Sequence, residues 1–125
     1  MTIIGVGTDI LDERRIVRLV DSGGDRFLSH WYTPAEADGH RAAPRPGRSA
    51  ARGFAVKEAT LKAMGASFPG PVRWWEIEVL TCHDVPEIRL SGDTAAHAER
   101  VGVRRLHAST TRSGGWIAAV VVAEG

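Results

Sequence analysis

Two acids and a lysine are the residues best placed to do chemistry. Glu58 and Lys62 stand four apart in Gly53-Phe54-Ala55-Val56-Lys57-Glu58-Ala59-Thr60-Leu61-Lys62-Ala63-Met64-Gly65, and Asp9 follows a glycine in Gly7-Thr8-Asp9-Ile10. The longer run is rich in Ala, Leu, Met, Lys and Glu and closes on Gly65, which predicts a helix with a glycine C-cap. At about 100° per residue, Phe54, Glu58 and Leu61 share one side, Ala55, Ala59 and Ala63 cover the adjoining sector, and Val56 extends it. Apolar groups then occupy most of the circumference, so the helix should be largely buried, with Glu58 on a core-facing stripe. A carboxylate there has to be paired or bound to a metal. The plainer alternative is an ion pair with Lys62, one turn on. Asp9 has the same two readings: an acid at the tip of an apolar strand, beside a glycine that allows close approach, suits a ligand, and it also suits the N-cap of the next helix. Two protein carboxylates are too few for a calcium cage but suit Mg²⁺, which keeps positions open for water and phosphate. The five histidines show neither HxH nor HExxH spacing, and Ser109 stands in no GxSxG motif, which argues against zinc and against an elbow nucleophile. The residues taken alone point to Mg-dependent phosphate chemistry.

The elements that must position these groups follow in order. Thr2 to Val6 reads as a short buried strand ended by Gly7. Asp12 to Val20 reads as a helix with Ile16, Leu19 and Val20 inward and Arg14, Arg15 and Arg18 outward, stopped by Asp21-Ser22-Gly23-Gly24. The three arginines suit an acidic partner or, more plainly, a solvated face paired with Asp12, Glu13 and Asp21. Asp25 to Trp31 is a second helical stretch. Thr33-Pro34-Ala35-Glu36 has the capping-box pattern, opening a brief helix that Gly39 should interrupt. His40 to Arg48 holds two prolines and a glycine and reads as a basic loop, whose arginines suit a phosphate near the positive end of the helix that follows. Phe68-Pro69-Gly70-Pro71 is a tight connector. Val72 to Leu80 is a strand, with Trp74, Glu76, Glu78 and Leu80 on one face and Trp75, Ile77 and Val79 on the other. Thr81 to Pro86 is a turn, and Glu87 to Leu90 completes a hairpin. Gly92 to Val101 is a helix, Leu106 to Thr111 a strand, Arg112 to Gly115 a turn, and Trp116 to Ala123 a buried final strand. The order β-α-α-α-β-β-α-β-β predicts one compact α+β domain spanning 1–125, a small antiparallel sheet packed on the long central helix.

The 125 residues are enough for one domain with a real core. A net charge of only +1 argues against a general polyanion binder, so no nucleic-acid partner is expected and any anion site must be local. The only cysteine, Cys82, leaves no disulfide framework and favours a reducing, cytoplasmic compartment. Neither a signal peptide nor a transmembrane run is evident, so no membrane partner is expected.

Taken together, these motifs resemble those of the holo-acyl-carrier-protein synthases, the small trimeric class of 4′-phosphopantetheinyl transferases. The match is carried by Ile4-Gly5-Val6-Gly7-Thr8-Asp9-Ile10 with Arg15-Ile16, by Arg26-Phe27-Leu28 with Tyr32-Thr33-Pro34-Ala35-Glu36, and by Phe54-Ala55-Val56-Lys57-Glu58-Ala59 with Leu61-Lys62-Ala63-Met64-Gly65. Trp74-Trp75-Glu76-Ile77-Glu78-Val79 and Leu106-His107-Ala108-Ser109 complete it. The resemblance implies the fold of that family and transfer of phosphopantetheine from coenzyme A to a serine of an apo acyl carrier protein, releasing 3′,5′-ADP. It implies Asp9 and Glu58 as Mg²⁺ ligands, Lys62 as a phosphate-binding or proton-moving group, and Asp9, Glu58 and Lys62 together as the catalytic set. The serine's base is then Glu58, Asp9 or a metal-bound water. Coenzyme A would be held by Arg48, Arg52, Lys62, Ser109, Thr111 and Arg112, and the carrier docked by Arg14, Arg15 and Arg18. A homotrimer with its site between subunits is also implied. The carrier belongs to fatty-acid, polyketide or peptide synthesis.

Two positions depart from the family pattern. The Arg that usually precedes the Phe of the helix motif is Gly53 here, with Arg52 one place earlier and so turned by about 100°. The Ser-x-Ser-His run, or its form with Asp in the last place, is Ser109-Thr110-Thr111-Arg112. Either Arg112 supplies the phosphate charge missing at position 53, or affinity for coenzyme A has fallen. A relative that binds carrier or coenzyme A without efficient transfer, and a Mg-dependent nucleotide pyrophosphatase, are the competing readings.

Overall fold

A sheet and a helix made of small residues lie against each other at the centre of the chain. The computed structural model describes residues 1–65, 73–82 and 85–125. In order they form β1 (Ile3–Asp12), α1 (Glu13–Trp31), α2 (Pro34–Ala42), α3 (Pro46–Ala63), a 3-10 turn (Trp74–Glu76), β2 (Ile77–Cys82), β3 (Val85–Leu90), α4 (Gly92–Arg100), β4 (Arg105–Ser113) and β5 (Trp116–Glu124). The α+β class is that expected from the sequence, and so is the order once the helical stretches expected at Asp12–Val20 and Asp25–Trp31 are taken as the one helix α1. β1, β5 and β4 form an antiparallel sheet with β5 in the middle, and β2 and β3 form a hairpin. The connector expected at Phe68–Pro71, the first residue of the expected strand at Val72, and the hairpin tip at 83–84 lie outside the described residues.

Alternation along β5 turns Ile117, Ala119, Val121 and Ala123 inward, onto Ala51, Ala55, Ala59 and Ala63 of α3. The strand β1 comes closer still. A Cβ added at Gly5 would run into the Ala63 carbonyl oxygen, and one at Gly7 into the Ala59 carbonyl oxygen. These glycines let a strand backbone rest directly on a helix backbone. Since strand side chains alternate, Asp9 and Leu11 share the helix-facing side with Gly5 and Gly7.

Several boundaries differ from the sequence expectation. β1 runs to Asp12, so Asp9 lies within the strand rather than at its tip. α1 continues to Trp31; the expected stop survives as a kink, with Gly24 at φ 51° and ψ −132°. Gly39 does not interrupt α2, because nothing crowds it and the cap is complete: Thr33 Oγ1 accepts from Glu36 N at 3.2 Å and Glu36 Oε1 from Thr33 N at 3.0 Å. α3 begins at Pro46 rather than after the basic segment, since proline is pre-set for a first helical turn. Gly47 belongs to that turn and lies so close to Val17 that an added Cβ would be 2.9 Å from its Cα. Trp74–Glu76 is a turn rather than a strand, because the Glu76 carboxylate bends inward to accept from Asp93 N at 3.2 Å and Thr94 Oγ1 at 3.0 Å, tying down the start of α4. The β2–β3 turn is shorter than expected, with Thr81 and Pro86 paired in the ladder. The last hairpin closes through Gly114 and Gly115 alone, both at positive φ, which leaves Arg112 on β4.

The interior also holds a charge pair that periodicity did not disclose. Lys57 and Glu36 have fully buried side chains with Nζ and Oε1 2.7 Å apart. Lys57 also donates to the carbonyls of Trp74, at 2.8 Å, and Ile77, while Glu36 accepts from Val79 N at 3.1 Å. One carboxylate thus caps α2 and anchors both α3 and β2. Every donor of the ammonium is used, which is the condition under which burying such a pair is tolerable.

Candidate active site

Asp9, Glu58 and Lys62 come together where β1 crosses α3. Lys62 Nζ donates to the Thr8 carbonyl at 3.0 Å and to Asp9 Oδ1 at 3.3 Å. Lys62 therefore reaches across to the strand instead of back to Glu58, and the plainer reading of an intrahelical ion pair gives way. Glu58 is half-buried, as are Phe54 and Leu61. The fully buried face of α3 is instead that of Ala55, Val56, Lys57, Ala59 and Thr60, so the stripe assigned to the core borders a cavity. Burial first, and then the charge of Asp9, hold the Glu58 carboxyl above its ordinary range; Lys62 and Arg15 oppose this.

Asp9 and Glu58 share the wall of a cavity of about 330 Å³ between β1, α1 and α3, together with Arg15 and the apolar Leu19, Phe27, Trp31 and Phe54. Beside Phe54, Trp31 packs edge-on at 5.8 Å between ring centroids and Trp74 stacks at 5.4 Å. On the other side of Asp9, a groove of about 600 Å³ is bordered by Lys62, Ser109 and Thr111. Thus Asp9, Glu58, Lys62, Arg15, Ser109 and Thr111 are gathered at one place.

The remaining expected site residues fall elsewhere. Arg48 and Arg52 line a cavity of about 760 Å³ with Arg45, His40, Ser49, Gly53 and Pro86. Arg45, Arg48 and Arg52 make one stripe along the start of α3. His40 explains the glycine at 53: a Cβ there would be 3.3 Å from His40 Cε1, so the imidazole occupies the space a side chain would enter. His40 Nδ1 is 2.8 Å from Ser49 Oγ, and its Nε2 is buried without a partner among the described residues. Burial, and then the charge of Lys57, pull its pKa down to about 4. Arg112 is not among the residues lining this cavity. Its Nε and Nη2 donate to the two oxygens of Glu13 at 2.8 and 2.5 Å, and Arg48 Nε lies 3.4 Å from the same carboxylate. These two arginines hold the Glu13 carboxyl below its ordinary range, the Arg112 hydrogen bonds contributing most. Arg14 folds onto Asp12, with Nη2 and Oδ2 2.8 Å apart, and Arg18 is exposed.

Glu13, His40 and Arg45 were not singled out from the sequence. The sequence offers Glu13 only as an ion-pair partner for the arginines of its own helix, and nothing local signals a partner on β4. Arg45 carried a signal, as one more arginine before the central helix.

Residues 5–121 match the 4′-phosphopantetheinyl transferase superfamily. The holo-[acyl-carrier-protein] synthase of Anaeromyxobacter dehalogenans is 39% identical over 129 aligned residues, covering 98% of this chain and 97% of that protein. Among solved structures, the holo-[acyl-carrier-protein] synthase of Neisseria meningitidis superposes with a TM-score of 0.86 at 32% identity, covering 99% of this chain and 100% of the other. The Helicobacter pylori synthase, solved in complex with coenzyme A, superposes with a TM-score of 0.78 at 27% identity, covering 95% and 99%. With the family match running over residues 5–121, 39% identity over nearly the full length and the same fold, the chain belongs to the 4′-phosphopantetheinyl transferase superfamily, among the holo-[acyl-carrier-protein] synthases.

Proposed function

We propose that Asp9 and Glu58 hold a Mg²⁺ in the service of the family's reaction, transfer of 4′-phosphopantetheine from coenzyme A to a carrier serine. The observation that carries this reading is the meeting of two carboxylates on β1 and α3 with a lysine beside them. Their fit to a hard cation is electrostatic. The Asp9 charge disfavours ionisation of Glu58, and a dication held by the two carboxylates would offset that repulsion. When bound, the metal supplies charge to the pyrophosphate of coenzyme A and steadies the departing 3′,5′-ADP.

The protein's own groups do the rest. In the transfer, the serine oxygen forms a bond to the phosphorus that carries the pantetheine arm. The bond from that phosphorus to the ADP oxygen breaks, and the serine proton leaves for a base. Lys62 brings its ammonium to the phosphates, with its direction set by the Thr8 carbonyl and Asp9. Ser109 and Thr111 offer hydroxyls to the same groove. Arg45, Arg48 and Arg52 give the larger cavity the positive charge that the nucleotide phosphates of coenzyme A require. Arg14, Arg15 and Arg18 are the docking residues for an acidic carrier surface, and Arg15, which also borders the cavity of the two acids, leads the carrier serine toward them.

The working assembly is a homotrimer of a single transferase domain, residues 1–125. Its support is the sheet face turned away from α3, where Val6, Ile10, Trp116 and Val120 are exposed side by side. A contiguous apolar face of this kind marks a protein contact. Sedimentation equilibrium should read three protomers; a monomer at working concentration would remove the assignment. The cytoplasm is the compartment that suits a chain with one cysteine. No helix among the described residues is long and apolar enough to cross a membrane.

The direct experiment mixes the protein with apo carrier, coenzyme A and Mg²⁺ and follows the intact mass of the carrier. One phosphopantetheine adduct per serine is expected, and chelation of the metal should stop its formation. Asp9→Ala and Glu58→Ala should each lose transfer with the fold intact. Turnover retained by either variant rules out the metal pair.

A further inference from the structure

Glu13 is a nearly fully buried carboxylate, 6% exposed, that the transfer reaction does not use. It sits where three elements meet. Its backbone N–H donates to the Gly115 carbonyl at 2.9 Å, in the turn between β4 and β5. Its two oxygens receive the Arg112 guanidinium side-on, at 2.8 and 2.5 Å. One of the same oxygens lies 3.4 Å from Arg48 Nε, on the first turn of α3, an ion-pair contact without a hydrogen bond: Nε is buried and has no hydrogen-bond partner among the described residues, so the carboxylate is the charge that faces it. Arg48 stands between Arg45 and Arg52 on the stripe lining the large cavity, and among the described residues it is the one of the three with an ion-pair partner.

We propose that Glu13 is a positioning residue for the arginine-lined cavity: fixed by Arg112 from β4, its carboxylate holds Arg48 in the cavity wall, ready for the nucleotide phosphates of coenzyme A. The inference rests on the reading of that cavity as the coenzyme A site. An arginine free to sample its rotamers loses that freedom when it binds an anion, and prior restraint lowers the loss. The restraint does not cancel the attraction, because one carboxylate faces two guanidiniums and the cluster keeps a net positive charge. The side-on pair spends the Nε edge of Arg112 on Glu13, so the arginine that departs from the family pattern acts through Arg48.

The test is steady-state transfer to apo carrier with intact protein, comparing wild type, Glu13→Gln, Arg48→Ala and the double variant, with folding checked by circular dichroism. Arg48→Ala should raise KM for coenzyme A about tenfold, the scale of one charged hydrogen bond. Glu13→Gln should raise the same KM about fivefold on the same reasoning, leaving kcat and the KM for carrier unchanged. In the Arg48→Ala background, Glu13→Gln should add nothing. Additive effects, or an equal change in the KM for carrier, overturn the proposal while leaving the cavity reading intact. An unchanged KM in Arg48→Ala overturns both. Arg112→Lys, which keeps the charge but loses the side-on pair, serves if Glu13→Gln does not fold; it should raise KM for coenzyme A in the wild-type background and add nothing in the Arg48→Ala background, and no rise, or an additive one, would overturn the proposal.

Discussion

His40 should make the protein less stable in mild acid, by an amount the structure sets. The ring is buried against Gly53 and Tyr32, 4.7 Å from the tyrosine between centroids. Its surroundings oppose a positive charge, by burial first and then by the nearby Lys57 ammonium, so its pKa falls from 6.5 to about 4. Between those two values the unfolded chain binds a proton that the folded chain refuses. Stability therefore rises with pH across this window and levels off above 6.5. The gap of about 2.5 pH units corresponds to ~3 kcal/mol at about 1.4 kcal/mol per unit. The assay is urea unfolding at fixed protomer concentration, at several pH values from 4 to 7.5, with His40→Phe as reference. Burial raises the Glu36 carboxyl pKa and lowers that of the Lys57 ammonium, but this pair is common to both proteins, so its contribution drops out of the difference. Wild type minus variant should lose ~3 kcal/mol on going from pH 7 to pH 4. A flat difference would refute the placing of a neutral imidazole over Gly53, as would one of opposite slope.

Two further outcomes test how the site is built. Gly7→Ala forces a methyl into the Ala59 carbonyl, so β1 must lift from α3; a loss of at least ~2 kcal/mol is expected from overpacking alone, with transfer falling more than stability explains because Asp9 moves with the strand. A normal thermal midpoint and normal turnover would show that the strand does not need this approach. Reversing charge at Arg14 and Arg18 should raise KM for the carrier roughly tenfold at low salt, and less as salt rises, with the KM for coenzyme A unchanged; equal effects on both substrates would place the carrier elsewhere.

What was legible in the chain was what neighbours announce. Glu58 and Lys62 are one helical turn apart, and Asp9 follows its glycine by two residues, so each carried its setting with it. Element order followed from local capping and alternation, although the stop expected at Asp21–Gly24 is only a kink at Gly24 within one helix. The interior charges gave no such notice. Glu36 meets Lys57 across 21 residues and Glu13 meets Arg112 across 99; both acids also begin helices, a sufficient local reason for being there. Boundaries differ from the pattern where a breaker is overruled: Gly39 by a complete local cap at Thr33 and Glu36, and Gly47 by a tertiary contact, since Val17 leaves no room for a side chain there.

The glycines of β1 join these two kinds of information. From the chain, Gly5 and Gly7 permit close approach but do not say to what. In the fold they face the carbonyls of Ala63 and Ala59, residues that bracket Lys62 and adjoin Glu58. With any larger residue on the strand, Asp9 would stand farther from the helix and Lys62 would no longer span to it. The meeting of the two acids is thus a product of backbone contact between a strand and a helix, and side chains distant from the chemistry control it. A substitution at Gly5 is the cleanest separation of these causes, since it leaves every polar group of the site in place. Gly5→Ala should weaken Mg²⁺-dependent transfer through displacement of β1 alone, read as a rise in the Mg²⁺ concentration needed for half-maximal turnover; an unchanged requirement would mean that Asp9 is held by something other than the packing of β1 on α3.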